Sequence, residues 1–382
     1  MPAKTVLNAG IEHISILDQD GNFDAELGKG LIPDKDVVRI YEQMQISRHF
    51  DEVALKLQRE GRMGTYPENR GQEAVSLGAV YALRPDDWIV PCYRENAGIF
   101  LRGYKPEWVL LHWMGDERGN QIDRDLWITP PSISIGGHTP HAVGLAWACR
   151  YRKEDRVVCT VFGDGASSQG DCHEACNFAA SLGLPVIFIC QNNGWSISVP
   201  AKIQCAAPTV AQRGLAYGMD CVQADGNDVF AMTKVVRDAA QRVRDGGPPT
   251  FIEALTYRLG DHTTADDARR YRDPAELEMW MKRDPLIRLR KYLTDRKLWD
   301  DRKQQALEAR AKEEVAAIVE RAEGITPSRT DDMFNGLYAE PHADLITQRD
   351  TLRTSALGQD PSPLGDGAAQ APTRNESLTP DS

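Results

Sequence analysis

The sequence predicts an α/β fold in which a parallel sheet is covered by helices on both faces. Mainly apolar runs such as RVVCTVF (156–162) and PVIFICQ (185–191) are typical of strands that are buried on both sides. Segments with helical spacing separate these runs, and such alternation favours parallel pairing. At 382 residues, the chain is long enough to bury a full core.

Helices are predicted before and after the segment in which strands and helices alternate, as well as within it. Residues 34–60 place apolar side chains such as Val37 and Ile40 at three- and four-residue spacing, and Gly61 follows as a stop signal. The other predicted elements are a helix at 71–83, a strand at 87–94, helices at 107–115 and 141–151, a strand at 156–162, a helix at 171–182, a strand at 185–191, a helix near 209–217, a strand at 221–225, a helix at 229–243 and a strand at 250–258. Helices resume after a polar loop at 259–274 and continue to about 325.

Polar and irregular segments suggest how the domains are organised. Residues 116–140 are too long for a simple connection, so we expect a functional loop there. Residues 355–382 are dominated by Pro, Gly, Ala, Ser and acidic residues, which predicts disorder. The sequence therefore predicts an N-terminal extension at 1–33, one catalytic domain at 34–354 and a disordered tail at 355–382.

Charge and composition exclude several classes of function. The net charge of -11 argues against a nucleic-acid partner, because binding to a phosphate backbone needs a clustered basic face. The longest apolar runs are far shorter than a membrane span, and the N-terminus lacks the pattern of a secretory or transit peptide. We therefore expect a cytoplasmic protein that does not act at a membrane.

The eight cysteines are predicted to be reduced, buried thiols. They lie mostly in apolar segments, and no CxxC motif occurs. Cys172 and Cys176 lie one helical turn apart with His173 between them, but the second ligand pair of a zinc site is missing. We interpret these residues as packing rather than as a metal site.

Polar residues follow two of the predicted strands, which the alternation of strands and helices makes neighbours in a parallel sheet. Asp164 lies between two glycines after the strand at 156–162, and Asn193 follows the strand at 185–191. Because ligands of parallel sheets bind beyond the carboxyl ends of the strands, these side chains are candidates for one site. Asp164, the Asn193 amide oxygen and a main-chain carbonyl such as that of Trp195 would suit Mg²⁺ that also holds a diphosphate.

Two other interpretations of these turns remain open. Gly, Asp and Asn are common turn formers, so each motif alone is compatible with a plain turn. A dinucleotide site is disfavoured, because GDGASSQG lacks the G-x-G-x-x-G pattern and no acidic residue follows the next strand. The pairing of the two turns is what favours a metal-diphosphate site.

Several motifs in a fixed order resemble one enzyme family. The spacing of GDG and NN is similar to the thiamin-diphosphate signature, and the chain from about 34 to 325 resembles the E1 α subunits of 2-oxoacid dehydrogenases, above all those that act on pyruvate. The motifs are GQEA (71–74), PCYRENAG (91–98), PPSISIGGHTPHAVGLA (130–146), TYRLGDHTTADD (256–267) and KRDPLIRLRKYL (282–293).

The resemblance implies roles for individual residues. It makes Asp164, Asn193 and the carbonyl of Trp195 the Mg²⁺ ligands. The residues that it implies contact thiamin diphosphate are Tyr93, Arg94, Ile133, Ile135, Asp164, Gly165, Ala166, Asn193, Trp195 and His262. Ile133 and Ile135 would form the apolar bed under the aminopyrimidine ring, and His262 is implied as the catalytic residue.

Other polar residues near these motifs have weaker assignments. Tyr66 is a candidate for the substrate pocket, whereas Gln72 and Glu73 begin a helix, where capping is as good an explanation as function. His138 and His141 follow the Ile133–Ile135 segment without an assigned role. Thr263 and Thr264 stand where mitochondrial relatives carry regulatory serines, but we predict no phosphoregulation.

The resemblance also implies partners and a reaction. In this family a β subunit supplies the carboxylate for the aminopyrimidine ring, so we expect an α₂β₂ heterotetramer. The implied reaction is oxidative decarboxylation of a small 2-oxoacid, with acyl transfer to the lipoyl domain of an E2 acyltransferase. Branched-chain relatives tend to carry another phosphate-binding arginine where this chain reads KIQCAAPT, which favours pyruvate over a branched-chain 2-oxoacid. A branched-chain 2-oxoacid or acetoin stays the alternative substrate. The alternative to an enzyme is a non-catalytic subunit that has kept this fold and only binds partner proteins.

Overall fold

The computed structural model describes residues 3–326, 330–334 and 337–355. These residues fall into two compact units, one that ends at Gly324 and one that starts at Ile325. The predicted site residues all belong to the first unit. The second unit contains the helix Ala343–Thr354, from which the Arg353 guanidinium pairs with the carboxylate of Asp331 in a preceding 3₁₀ turn.

A six-stranded parallel sheet forms the centre of the first unit. The described strands are β1 (Glu12–Ile14), β2 (Trp88–Val90), β3 (Val158–Gly163), β4 (Val186–Asn192), β5 (Trp195–Ser196), β6 (Val199–Pro200), β7 (Asp220–Asp225) and β8 (Thr250–Leu255). The order in the sheet is β1-β7-β8-β4-β3-β2, and every pair in it is parallel. Two further strands, β5 and β6, form a small antiparallel hairpin.

The apolar strands of the sheet separate two hydrophobic cores. Ile187 and Ile189 of β4 belong to one core, whereas Val186, Phe188 and Cys190 belong to the other. Successive side chains of a strand point to opposite faces, so a strand that is buried on both sides has to be apolar throughout. This is why these runs show no alternation with polar residues.

Helices cover both faces of the sheet. The described helices are α1 (Ala25–Gly28), α2 (Asp34–Arg59), α3 (Glu73–Ala82), α4 (Asn96–Arg102), α5 (Pro106–Trp113), α6 (His138–Arg152), α7 (Gly170–Leu182), α8 (Ala201–Gln204), α9 (Gln212–Leu215), α10 (Val229–Arg244), α11 (Pro274–Met281), α12 (Pro285–Asp295), α13 (Asp301–Glu323) and α14 (Ala343–Thr354). Side chains of α2, α3, α10, α12 and α13 share one core with the sheet. Side chains of α6 and α7 pack in the other core.

The predicted fold class is confirmed, with differences in detail. Residues 12–14, inside the predicted N-terminal extension, add the edge strand β1 to the sheet. The predicted functional loop at 116–140 contains two short 3₁₀ turns, and its last three residues already belong to α6. The predicted domain boundaries stay predictions, and the predicted tail at 355–382 lies, apart from Ser355, outside the described residues.

Two expectations from composition can be compared with the fold. All eight cysteines are free, with six buried and two partly buried. None of the helices in the described part of the chain is long and apolar enough to cross a membrane.

Candidate functional site

A cleft lies where β3 and β4 end side by side. The two strands pair in register up to Gly163 and Gln191, so that Asp164 and Asn193 leave the sheet at the same edge. Gly165 lets the backbone approach closely here, because a Cβ at this position would lie 2.3 Å from the Ser196 hydroxyl oxygen. Parallel pairing thus brings together two residues that are far apart in the sequence.

Asp164 carries a buried carboxylate that is only partly satisfied. The side-chain amide of Gln204 donates to its Oδ2 at 3.0 Å, whereas its Oδ1 has no hydrogen-bond partner among the described residues. Burial raises the pKa of Asp164 to about 6, although the N–H groups of Asp164 and Asn193 and the Gln204 amide partly offset that effect. A buried carboxylate oxygen without a partner is suited to a cation.

Neighbouring groups fix the amide of Asn193. Its Nδ2 donates to Oε1 of Gln72 at 3.0 Å, and its Oδ1 accepts from the N–H of Trp195 at 3.1 Å. Gly194 adopts a φ of 83°, which allows the chain to turn between Asn193 and Trp195. The amide oxygen therefore keeps one lone pair for a further ligand.

Two guanidinium groups hold the imidazole of His262. Arg94 Nη2 lies 3.2 Å and Arg258 Nη1 3.3 Å from His262 Nδ1. A guanidinium can only donate, so Nδ1 acts as the acceptor and the proton of the neutral ring is on Nε2. Burial, together with the charges of Arg94 and Arg258, lowers the pKa of His262 to about 4. His262 is therefore neutral at physiological pH.

The loop around His262 is fixed by further hydrogen bonds. The backbone N–H of His262 donates to the carboxylate of Asp266 at 2.8 Å, and the hydroxyl of Tyr271 donates to the same carboxylate oxygen. Arg258 Nη2 donates to the Tyr271 hydroxyl at 2.8 Å and to the carbonyl of Ile197 at 2.9 Å. Burial and the charge of Arg94 lower the pKa of Arg258 to about 10, which still leaves it protonated at neutral pH.

Most of the sequence-predicted site residues meet in this cleft, whose volume is about 690 Å³ including the part open to solvent. The predicted residues that line it are Tyr93, Arg94, Ile135, Asp164, Gly165, Ala166, Asn193, Trp195 and His262.

Four predicted or considered residues lie elsewhere. Ile133 is 48% exposed and is not among the residues that line the cleft. Tyr66 does not line it either: this residue is fully buried, and its hydroxyl donates to Asp51 at 2.6 Å, so its placement does not support contact with a substrate. His138 and His141 bond backbone carbonyls of Val161 and Gly137 at the start of α6.

The cleft also contains residues that the sequence analysis did not single out. For Gln72 a capping and a functional role were left open, and Arg258, Glu95 and Gln191 were not considered as site residues; all four line the cleft. Burial raises the pKa of Glu95 to about 7, and its carboxylate accepts from the Gln191 amide, at the end of β4. Arg258 could have been found, because it lies in the same TYRLGDHTT motif as His262.

The donors in the cleft fit a hard cation and an anionic group. Among the described residues, no cluster of three or more His, Cys, Asp or Glu side chains could hold a metal ion. Mg²⁺ needs fewer protein ligands, since it usually keeps waters and phosphate oxygens. The free Asp164 oxygen and the Asn193 amide oxygen can serve as such ligands, whereas the guanidiniums of Arg94 and Arg258 suit an anionic group.

Comparisons with known proteins identify the family. The Dehydrogenase E1 component family matches residues 41–328, which is most of the chain. The chain belongs to the dehydrogenase E1 family. The family depends on thiamin diphosphate, and the resemblance drawn from the sequence motifs is confirmed.

Curated relatives of this E1 chain are α subunits that cover nearly its whole length. It is 39% identical to the 3-methyl-2-oxobutanoate dehydrogenase subunit alpha of Mycobacterium tuberculosis (strain ATCC 25618 / H37Rv), over 94% of this chain and 98% of the relative. It is 38% identical to the pyruvate dehydrogenase E1 component subunit alpha of Acholeplasma laidlawii, over 87% and 96%. The chain is thus an E1 α-type chain of a 2-oxoacid dehydrogenase, with relatives of both substrate types at nearly the same identity.

Proposed function

We propose that this chain is the α subunit of a heterotetrameric E1 enzyme that decarboxylates pyruvate and passes the acetyl group to a lipoyl domain of E2. The observation that carries the proposal is the pair Asp164 and Asn193 at the ends of adjacent parallel strands, in one cleft with Arg94 and Arg258. When bound, thiamin diphosphate supplies the carbanion stabilisation that decarboxylation of a 2-oxoacid requires.

The chain's own residues hold the diphosphate end. Asp164, the Asn193 amide oxygen and the Trp195 carbonyl would bind Mg²⁺, and the glycine at 165 gives the diphosphate access to the backbone. Arg94 and Arg258 line the same cleft, where their guanidiniums can donate to phosphate oxygens. Tyr93, Ala166 and Ile135 form further walls of that cleft.

His262 acts in this proposal as a neutral hydrogen-bond donor. The two guanidiniums occupy Nδ1, so Nε2–H is the free donor of the ring. A donor fixed in this way stabilises negative charge as it develops on a reacting oxygen, without first losing or gaining a proton. The low pKa of His262 argues against a role as an imidazolium ion.

A β subunit completes the site in this proposal. Ile133 and Ile135, the implied bed for the aminopyrimidine ring, are 48% and 42% exposed in the isolated chain. Exposed apolar residues beside a cleft are typical of surfaces that a partner covers. We therefore expect the α chain alone to bind the cofactor poorly and to be inactive.

The candidate substrates are pyruvate, a branched-chain 2-oxoacid and acetoin. The absence of the additional arginine in KIQCAAPT supports pyruvate. The 39% identity to a 3-methyl-2-oxobutanoate dehydrogenase subunit supports a branched-chain 2-oxoacid. Pocket volume also depends on the β subunit, so the assay requires the assembled enzyme.

Steady-state rates test the proposal. The α chain is produced together with a β subunit of the same family, and turnover is measured with pyruvate, 3-methyl-2-oxobutanoate and acetoin in the presence of Mg²⁺ and thiamin diphosphate. We expect the highest kcat/KM with pyruvate. A preference for 3-methyl-2-oxobutanoate would establish the branched-chain alternative. Calorimetry that shows no cofactor binding to the assembly would support a non-catalytic scaffold instead.

A further inference from the structure

The side chain of Gln204 lies against the proposed metal-binding carboxylate. Its Nε2 donates to Asp164 Oδ2 at 3.0 Å and to the carbonyl of Val199 at 3.2 Å. Both partners are acceptors, so the orientation of the amide is determined. Asp164 Oδ1 has no partner within the described part of the chain. One carboxylate oxygen is therefore held and the other is left for a ligand.

The backbone of Gln204 is tied to the same turn. Arg213 Nη2 donates to the Gln204 carbonyl at 3.0 Å, and Arg213 Nη1 donates to the Ser167 hydroxyl at 2.6 Å. That hydroxyl donates in turn to the backbone carbonyl of Asp164 at 2.6 Å. The short helix α8 is thereby fixed to the β3 turn at both its side chain and its main chain.

We propose that Gln204 is a positioning residue that makes Asp164 a one-oxygen ligand and thereby favours Mg²⁺ over larger cations. Mg²⁺ demands near-ideal octahedral geometry and binds few protein oxygens, whereas Ca²⁺ readily takes both oxygens of a carboxylate. The Gln204 hydrogen bond draws electron density from Oδ2 and fixes the plane of the carboxylate, so coordination through the unpartnered Oδ1 alone is favoured over chelation through both oxygens. Outer hydrogen bonds of this kind typically change metal affinity 10- to 100-fold. The inference rests on the proposed function, because it assumes a cation at Asp164.

The test uses Gln204→Met in the assembled αβ enzyme. Methionine keeps the length of the side chain but lacks the donor. The matched control is Gln212→Met, which makes the same change at an exposed glutamine of α9. Mn²⁺ binding with saturating thiamin diphosphate is followed by electron paramagnetic resonance, and Mg²⁺ and Ca²⁺ affinities are obtained by competition. The melting temperature without metal reports on folding.

We expect Gln204→Met to weaken Mn²⁺ and Mg²⁺ binding by about 10- to 100-fold and Ca²⁺ binding by less, so that the preference for Mg²⁺ falls. The metal-free melting temperature and the control should be unchanged. Wild-type affinities in Gln204→Met would overturn the inference while the proposed function stands. An equal loss for all cations with a lower melting temperature would also overturn it, since that indicates a structural role. If the wild-type assembly binds neither Mn²⁺ nor thiamin diphosphate, the proposed function fails and this inference fails with it.

Discussion

Two buried acidic residues near the same edge of the sheet differ in how their carboxylates are satisfied. Glu253 on β8 is 1% exposed and accepts from the Asn192 amide at one oxygen and from Thr209, Ala211 and Gln223 at the other. Asp164 is 2% exposed and keeps one oxygen without a partner in the described structure.

The difference in hydrogen bonding indicates a structural role for Glu253 and a ligand-binding role for Asp164. A carboxylate with both oxygens bonded stabilises the chain around it, and removing it leaves buried donors unpaired. A buried carboxylate with a free oxygen costs stability until a ligand arrives. Satisfaction of the two oxygens, rather than burial, therefore separates a structural acid from a functional one here.

The largest expected effect is on Asp164→Ala. The remaining proposed ligands are neutral and do not offset the dehydration that Mg²⁺ resists. We expect Mg²⁺-dependent binding of thiamin diphosphate to the assembly to become at least about 1,000-fold weaker, or about 4 kcal/mol, as measured by calorimetry. Gln212→Ala serves as the control. An unchanged dissociation constant would remove Asp164 from the metal site.

The same comparison predicts the opposite kind of defect for Glu253→Gln. The amide offers one acceptor oxygen where the carboxylate accepts from four donors, so at least one buried donor loses its partner. We expect the free energy of unfolding to fall by about 2–3 kcal/mol in urea titrations of the metal-free protein. Cofactor affinity of the folded fraction should change little. A stability equal to the wild type would show that solvent reaches these donors.

The third prediction concerns His262→Ala. Arg94 and Arg258 remain to bind the diphosphate, so we expect cofactor affinity to change by less than about tenfold. Loss of the Nε2–H donor should slow acyl transfer to a lipoyl domain by about 100-fold, and more than it slows decarboxylation with an artificial electron acceptor. Single-turnover kinetics separates the two steps. Unaltered lipoyl-dependent turnover would contradict the role.

Much of the fold could be predicted because its signals are local. The runs at β3 and β4 are mainly apolar, and the glycines around Asp164 mark the turn. β1 was missed because it is only three residues long and two of them are exposed. α4 was missed because a helix of seven residues is too short to show a helical spacing of apolar side chains.

The candidate site could be predicted only where residue types carry their own signal. Asp164 and Asn193 follow strands, and His262 lies in a family motif. Gln204 has no such signal, because a single glutamine is common and its role depends on a contact 40 residues away. Tyr66 illustrates the converse: its place near family motifs suggested a pocket residue, but its hydroxyl bonds a buried aspartate.

The smallest expected effect is a gain in stability for Asp164→Asn without metal. Burial raises the pKa of Asp164 from 3.8 to about 6, so the folded state binds this proton more tightly than the unfolded state does. Stability is therefore lost as the pH rises from about 4 to about 6, and the loss is complete above that range. Asparagine keeps an acceptor for Gln204 and carries no charge.

We accordingly expect Asp164→Asn to be about 2 kcal/mol more stable than the wild type at pH 8 and equally stable near pH 4, as measured by urea unfolding in the presence of a chelator. Glu253→Gln, the matched acid-to-amide change, should be less stable than the wild type at pH 8. If the free energy of unfolding at pH 8 changed in the same direction in Asp164→Asn and Glu253→Gln, the free oxygen of Asp164 would not distinguish the two acids. Added Mg²⁺ and thiamin diphosphate should stabilise the wild-type assembly and not Asp164→Asn, because only a carboxylate that is left unsatisfied by the fold gains its partner from the ligand.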